Sequence, residues 1–299
     1  MASYAQAIQL KPDYAEAYSN RGITLQAQGK LAEAMASYAQ AIQLKPDYAE
    51  AYSNRGITLQ AQGKLAEAMA SYAQAIQLKP DYAEAYCNRG TTLHELSQFA
   101  EAMASYVQAT QHNPDYAEAY NNRGIVLQEQ GQFAEAVANF DQAIKLDFAG
   151  AYHNLLFSLN YHPDLSAEEI FKSYQEYDQR FCLPYRDQWK NHGNQKDLTR
   201  RLKIGYVSPD FSDHSMKNFL APLLDHHSHA EFKIYAYAEI DNEDRVTEFY
   251  KNSVDHWIKT NKLSDDALSE LIRSHEIDIL VDLAGHTRGN RLGVFARKP

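Results

Sequence analysis

The chain has 299 residues, 44% of them hydrophobic, and carries a formal charge of −10 with only two cysteines. That length allows two domains with separate cores, and the acidity argues against general binding to nucleic acid or to an anionic membrane. No apolar run reaches the roughly 18 residues of a membrane span, the opening MASYAQAIQLK does not read as a signal peptide, and Cys87 and Cys182 fit no zinc or disulfide spacing, which suits a reducing cytoplasm.

The first half repeats with a period of 34 residues. Residues 15–48 and 49–82 are identical, 83–116 and 117–150 are diverged copies, and 1–14 repeat 35–48 as half a copy. Residues 1–150 hold 10 Lys and Arg against 16 Asp and Glu, so −6 of the total charge lies here. Within the first copy Gly22, Ala34 and Ala41 stand where two helices must approach, with Tyr18, Leu25 and Tyr38 filling between. Gly29 breaks the copy and Pro46 closes it. This pattern is similar to the tetratricopeptide repeat, a helix–turn–helix unit of the same length. Two departures recur: Arg21, Arg55, Arg89 and Arg123 stand where that family often has Leu, and Ser97 replaces the mid-repeat Gly of the third copy.

One such repeat cannot bury its apolar face, so neighbours stack into a superhelix with a concave surface lined by the first helix of each pair. Asn20, Asn54, Asn88 and Asn122 then form a ladder along one groove, while the residue before each is Ser, Ser, Cys and Asn. An amide with two donors and an acceptor suits the backbone of an extended peptide. Bonding to a neighbouring helix, which fixes repeat geometry, explains the same spacing.

The fourth copy ends LDFAG, two residues short and without its Pro, and runs into AYHNLLFSLNY, whose Asn154 keeps the ladder position. Ser166 and Glu169 form a capping box before an amphipathic helix expected to close the solenoid. Residues 182–200 read as a polar linker. From Leu202 the period changes: LKIGYVS, FKIYAYA, VDHWIKT and IDILVDL read as strands alternating with helices near 215–227, 242–252 and 264–275. Such alternation implies a parallel, doubly wound sheet with ligands at the carboxyl ends of its strands. The domains are therefore read as an α-solenoid over 1–160, a cap and linker over 161–200 and a Rossmann-like lobe over 201–299.

Two loops at those ends carry chemistry. PDFSDHS after the first strand offers Asp210 and His214, an acid placed to orient a base. A helix-capping Asp beside a solvent-facing His would look the same. AGHTRGNR after the fourth strand offers Gly285, His286, Thr287 and Gly289 for close backbone approach to a ligand, or simply a flexible turn. HHSH at 226–229 reads as a solvated helix end rather than a metal site, and His256 as a core or edge-strand residue.

RLKIGYVSPDFSDHS, ILVDLAGHTRGNR and VFARKP, in that order behind the repeats, resemble the O-linked N-acetylglucosamine transferases, in their bacterial, SPINDLY-like branch. The resemblance implies a B-type glycosyltransferase fold of two Rossmann-like lobes. It also implies inverting transfer from UDP-N-acetylglucosamine to Ser or Thr of proteins threaded along the repeats, with no cofactor and no metal. His214 matches the family's active-site histidine, a candidate general base, and Asp210 the acid beside it. His286 and Thr287 match the loop near the sugar, and the ladder asparagines match the residues that hold the acceptor backbone. Ser215 and Met216 depart from the Pro-Thr of several animal members. The family continues past ARKP into the UDP-binding lobe, so the chain is read as a fragment, expected to be inactive alone. A non-catalytic repeat scaffold for protein partners is the rival reading, and fucose the rival donor sugar.

Overall fold

The computed structural model describes residues 2–197 and 199–299. Contacts divide the chain into two units, Met1–Pro163 and Asp164–Pro299. In the first, a single helix α1 (Ala2–Leu10) precedes four helix pairs, α2 (Ala15–Ala27) with α3 (Leu31–Leu44), α4 (Ala49–Ala61) with α5 (Leu65–Leu78), α6 (Ala83–Glu95) with α7 (Phe99–His112), and α8 (Ala117–Glu129) with α9 (Phe133–Lys145). Helix α10 (Ala151–Leu159) follows as the next first helix.

The small residues allow each pair to close. A methyl group on Gly22 would lie 2.5 Å from the ring of Tyr38, which is wholly buried, and Gly56, Gly90 and Gly124 meet Tyr72, Tyr106 and Phe140 in the same way. A Cβ at that range demands that a packed ring move. Between the helices, Gly29, Gly63 and Gly131 adopt φ of 72°, 72° and 73°. Ser97 takes the same left-handed turn at φ 58°, so the third copy keeps the geometry with a residue that pays more strain for it. Neighbouring repeats are joined by polar contacts as well as apolar ones. The Gln26 side-chain oxygen Oε1 accepts from the hydroxyl of Tyr38 in its own repeat and from that of Thr58 in the next, at 3.2 and 2.8 Å.

In the second unit α11 (Ala167–Phe181) opens on the capping box, with the Ser166 side chain accepting from the Glu169 amide. The sequence places this helix in a separate segment, 161–200, expected to cap the solenoid; contacts group it with the second unit. Amphipathicity says that a helix face is covered, not by what. The segment read as a linker is anchored too. It begins with a short 3₁₀ turn (Leu183–Gln188), the Trp189 indole donates to the Ala296 carbonyl at 2.9 Å, and Asn194 and Arg200 both donate to the Asp278 carboxylate. These bonds hold the Asp278 carboxyl well below its usual range, with Arg200 as the largest cause.

Strands β1 (Leu202–Ser208), β2 (Phe232–Ala238), β3 (His256–Lys259) and β4 (Ile279–Asp282) form one parallel sheet in the order β3-β2-β1-β4. Helices α12 (Lys217–Asp225), α13 (Arg245–Ser253) and α14 (Asp265–Ser274) make the crossovers, and α15 (Leu292–Ala296) follows β4. Apolar side chains from both sheet faces feed two cores, one around Phe211, Leu220, Ile234 and Tyr250, the other around Val207, Tyr237, Leu268 and Val294. His256 opens the edge strand β3, as its sequence suggested. The chain moves outward from β1 to β3 and then returns to pair β4 with β1, so the topological switch point lies between β1 and β4.

Candidate functional site

Two sets of residues are candidates for binding or chemistry, one in each unit. In the repeats, Asn20 is exposed and Asn54, Asn88 and Asn122 are half-buried. The backbone carbonyls of Asn20, Asn54 and Asn88 accept from Thr24, Thr58 and Thr92 one turn later, and their side-chain amides make no hydrogen bond among the described residues. Asn122 differs: its Nδ2 donates to Sγ of Cys87 at 3.8 Å, and its Oδ1 accepts from Asn121 at 3.3 Å.

The variable residue before each asparagine is the docking point of the next repeat. Ser19, Ser53, Cys87 and Asn121 are all buried. The Tyr48 hydroxyl faces Ser19, Tyr82 faces Ser53 and Tyr116 faces Cys87, each near enough for the polar groups to interact. At the last interface Phe148, which has no hydroxyl, stands where a fifth tyrosine would, its carbonyl accepting from the Ala151 amide as that of Tyr116 accepts from Ala119, and Asn154 donates to Asn121 instead, at 2.9 Å. Burial pushes the Cys87 thiol up to about 12, so it serves here as a packed, weakly hydrogen-bonding group.

The recurrent arginine also has a place. Nε of Arg21, Arg55 and Arg89 donates to Ser37, Ser71 and Ser105 on the second helix, at 3.0, 3.0 and 3.1 Å. Each guanidinium lies over the tyrosine three residues earlier, with 5.0 to 5.2 Å to the ring centroid. A leucine would fill the same space without tying the two helices together.

In the second unit the two loops singled out in the sequence meet at the switch point. Val207 of β1 pairs with Asp282 of β4, the Leu283 amide donates to the Val207 carbonyl, and a Cβ on Gly289 would lie 3.0 Å from Pro209. Asp282 organises the second loop by accepting from the Ala284 and Gly285 amides at 3.1 and 2.8 Å, with Gly285 at φ 56°. Thr287 is turned inward, its hydroxyl donating to the Ala284 carbonyl at 2.8 Å. His286 sits edge-on between Tyr174 and Tyr177 of α11, with ring centroids 5.4 and 4.8 Å apart. Beside it lies a cavity of about 280 Å³ lined by Tyr177, Cys182, Trp189, His286, Leu292 and Phe295. Beyond the loop Arg291 donates to Asp265 and to the Thr260 and Leu263 carbonyls, and its Nε stands 3.0 Å from Glu239.

In the first loop the His214 side chain is about half exposed (49%) and the Asp210 carboxylate mostly covered (20%), with Nδ1 and Oδ2 3.8 Å apart. The Met216 amide donates to that same Nδ1 at 3.3 Å. Nδ1 is thus the engaged ring nitrogen. Among the described residues no three His, Cys, Asp or Glu side chains gather as a metal site, and no helix is long and apolar enough to cross a membrane. The HHSH residues part company: His227 bonds the Tyr206 hydroxyl at 3.0 Å, His226 the Pro222 carbonyl, and His229 approaches Asp255.

Residues 167–299 match glycosyl transferase family 41, and tetratricopeptide repeat families match across 1–131 and 117–147. The family 41 match covers nearly all of the second unit. A solved relative, the K341M mutant of Thermobaculum terrenum O-GlcNAc transferase, superposes with a TM-score of 0.70 at 27% identity, covering 84% of this chain and 48% of that one. Curated relatives include a probable UDP-N-acetylglucosamine--peptide N-acetylglucosaminyltransferase SPINDLY of Petunia hybrida, 31% identical over 157 residues, 51% of this chain and 17% of that protein. Its namesake in Hordeum vulgare is 33% identical over the same length, 51% of this chain and 16% of that protein. The chain thus spans about a sixth of the length of these plant relatives.

Within the second unit, sequence reasoning missed Tyr174 and Tyr177, which fix the His286 ring, and Asp282 and Arg291, which fix its loop. The tyrosines carried a signal, a pair three residues apart on one helix face. Their partner, more than a hundred residues on, did not.

Proposed function

We propose that this chain acts in protein O-glycosylation, moving N-acetylglucosamine from UDP-N-acetylglucosamine onto Ser or Thr hydroxyls of polypeptides held by the repeats. The observation that carries the reading is the meeting of the Asp210–His214 and His286–Thr287 loops at the switch point of a family 41 sheet. In this reading His214 takes the acceptor proton at Nε2, Asp210 orients the ring through Nδ1, and His286 and Thr287 shape the pocket for the sugar. No cofactor is required, since the nucleotide sugar brings its own leaving group. The open amides of Asn20, Asn54 and Asn88 support capture of extended polypeptide. Two free cysteines support a cytoplasmic setting.

The test is transfer of radiolabelled sugar from UDP-N-acetylglucosamine, and in parallel GDP-fucose, to acceptor proteins by the full reading frame that contains these residues. N-acetylglucosamine is the expected product, and His214→Ala is expected to lower its rate about 10²–10⁴-fold, the usual contribution of a general base. A His214→Ala rate within about twofold of the unsubstituted protein would remove the histidine from the reaction. Acceptor binding without transfer from either donor would favour a scaffold.

A further inference from the structure

The asparagine ladder is two devices in one row. We infer that only Asn20, Asn54 and Asn88 read an extended acceptor, while Asn122 and Asn154 dock repeats onto one another. This division rests on the acceptor-capture reading for its first three rungs and on geometry alone for the last two.

At rungs one to three the side-chain amide makes no hydrogen bond among the described residues, and the adjacent buried Ser or Cys faces a tyrosine of the following repeat. Repeat docking does not use the amide, so its donors and acceptor remain for a ligand. An amide in that state suits the backbone of an extended chain, which offers a carbonyl and an N–H to one side. From Cys87 onward the arrangement changes. Asn154 donates to Asn121, Asn121 to Asn122, and Asn122 to Cys87, a single relay crossing two repeat interfaces. At the last of these interfaces Phe148 replaces the docking tyrosine without its hydroxyl, and Asn154 supplies a polar contact instead. Asn121 is 7% exposed, so breaking the relay leaves a buried amide unpaired. The same residue type at the same helical position thus meets solvent in one half of the row and a neighbouring helix in the other.

The experiment uses the full 299-residue chain, a fluorescein-labelled unstructured peptide rich in Ser, Thr and Val as the anisotropy probe, and a thermal melt of each variant. Asn88→Ala is expected to weaken probe binding about 2–10-fold, the loss of one or two neutral hydrogen bonds, and to leave the melt unmoved. Asn122→Ala and Asn154→Ala are expected to lower the melting temperature and to leave probe affinity within about twofold of the unsubstituted chain. A double-mutant cycle of Asn121→Ala with Asn154→Ala should show coupling in the melt, because the two share one bond. Equal weakening by Asn122→Ala and Asn88→Ala with unmoved melts overturns the division, as does an Asn88→Ala chain that melts early and binds normally. If the unsubstituted chain does not take up the probe, acceptor capture itself fails. The melts and the cycle then still decide whether Asn122 and Asn154 dock the repeats.

Discussion

The Met216 amide donates to Nδ1 of His214 at 3.3 Å, and this contact decides which ring nitrogen is free. With Nδ1 accepting, neutral imidazole carries its proton on Nε2 and has no lone pair there to receive another. Base chemistry at Nε2 needs the other tautomer, and the acceptor at hand for Nδ1–H is Asp210, 3.8 Å away. The proposed base role therefore requires His214 to leave the arrangement tied to Met216 for one in which Nδ1–H bonds Asp210.

Asp210→Ala is accordingly expected to leave His214 wholly in the tautomer tied to Met216. In the isolated chain, nitrogen-15 shifts of the ring should move to the pattern of a protonated Nε2. In the full reading frame, transfer should fall by about 10²-fold or more, the scale of a lost base. Unchanged ring shifts together with an unchanged rate would mean that Asp210 only caps its loop.

Much of this architecture was legible because it rests on short-range rules. The 34-residue period, the Gly and Ala approaches and the mid-repeat turns mark the helix pairs of the first unit, and β-branched and aromatic runs mark the four strands. The loops at β1 and β4 were legible as loops, and the strand order made them neighbours. What stayed hidden depends on partners distant in the chain. Ser19 looked like a free neighbour of Asn20 because Tyr48, which occupies it, belongs to the next repeat. The tautomer of His214 depends on a backbone amide two residues on, whose direction no side-chain pattern encodes.

The fourth repeat contains a correctable flaw. In the first and third copies a serine hydroxyl accepts from arginine Nε while donating to the carbonyl four residues back, as Ser37 does between Arg21 and Glu33. The fourth copy has Asn139, which spends its amide on the Glu135 carbonyl and leaves Arg123 Nε buried without a partner. Asn139→Ser should restore both bonds and stabilise the array by about 0.5–1.5 kcal/mol, the net value of one hydrogen bond. Urea or thermal unfolding of the chain measures this directly. A lower midpoint would mean that the volume of the asparagine matters more than the orphaned donor.

The last prediction concerns acid. His256 stacks on Tyr235 at 4.3 Å between ring centroids, and His275 bonds the Tyr237 hydroxyl through Nδ1 at 2.9 Å. Burial lowers both histidines below 6.5; Lys233 adds to the effect on His256, while His256 and Lys203 add to that on His275. Asp255 works against this at His256. A histidine with a lowered folded value binds fewer protons folded than unfolded once the pH drops below 6.5. Stability of the second unit is therefore full above that pH and falls as the pH drops through the folded values. The depressed carboxylates, Asp278 foremost, have unfolded values of 3.8 to 4.5 and begin to cost stability only in stronger acid. Between roughly pH 6.5 and 5 the slope thus belongs to histidine. Melts of the chain across that range should show the transition of the second unit moving down as acid is added. His275→Gln, which keeps a polar group beside Tyr237 but cannot take up a proton, should flatten the slope even if it lowers the midpoint at neutral pH. A slope as steep in His275→Gln as in the unsubstituted chain would move the effect to His256 or to His227, which burial also lowers.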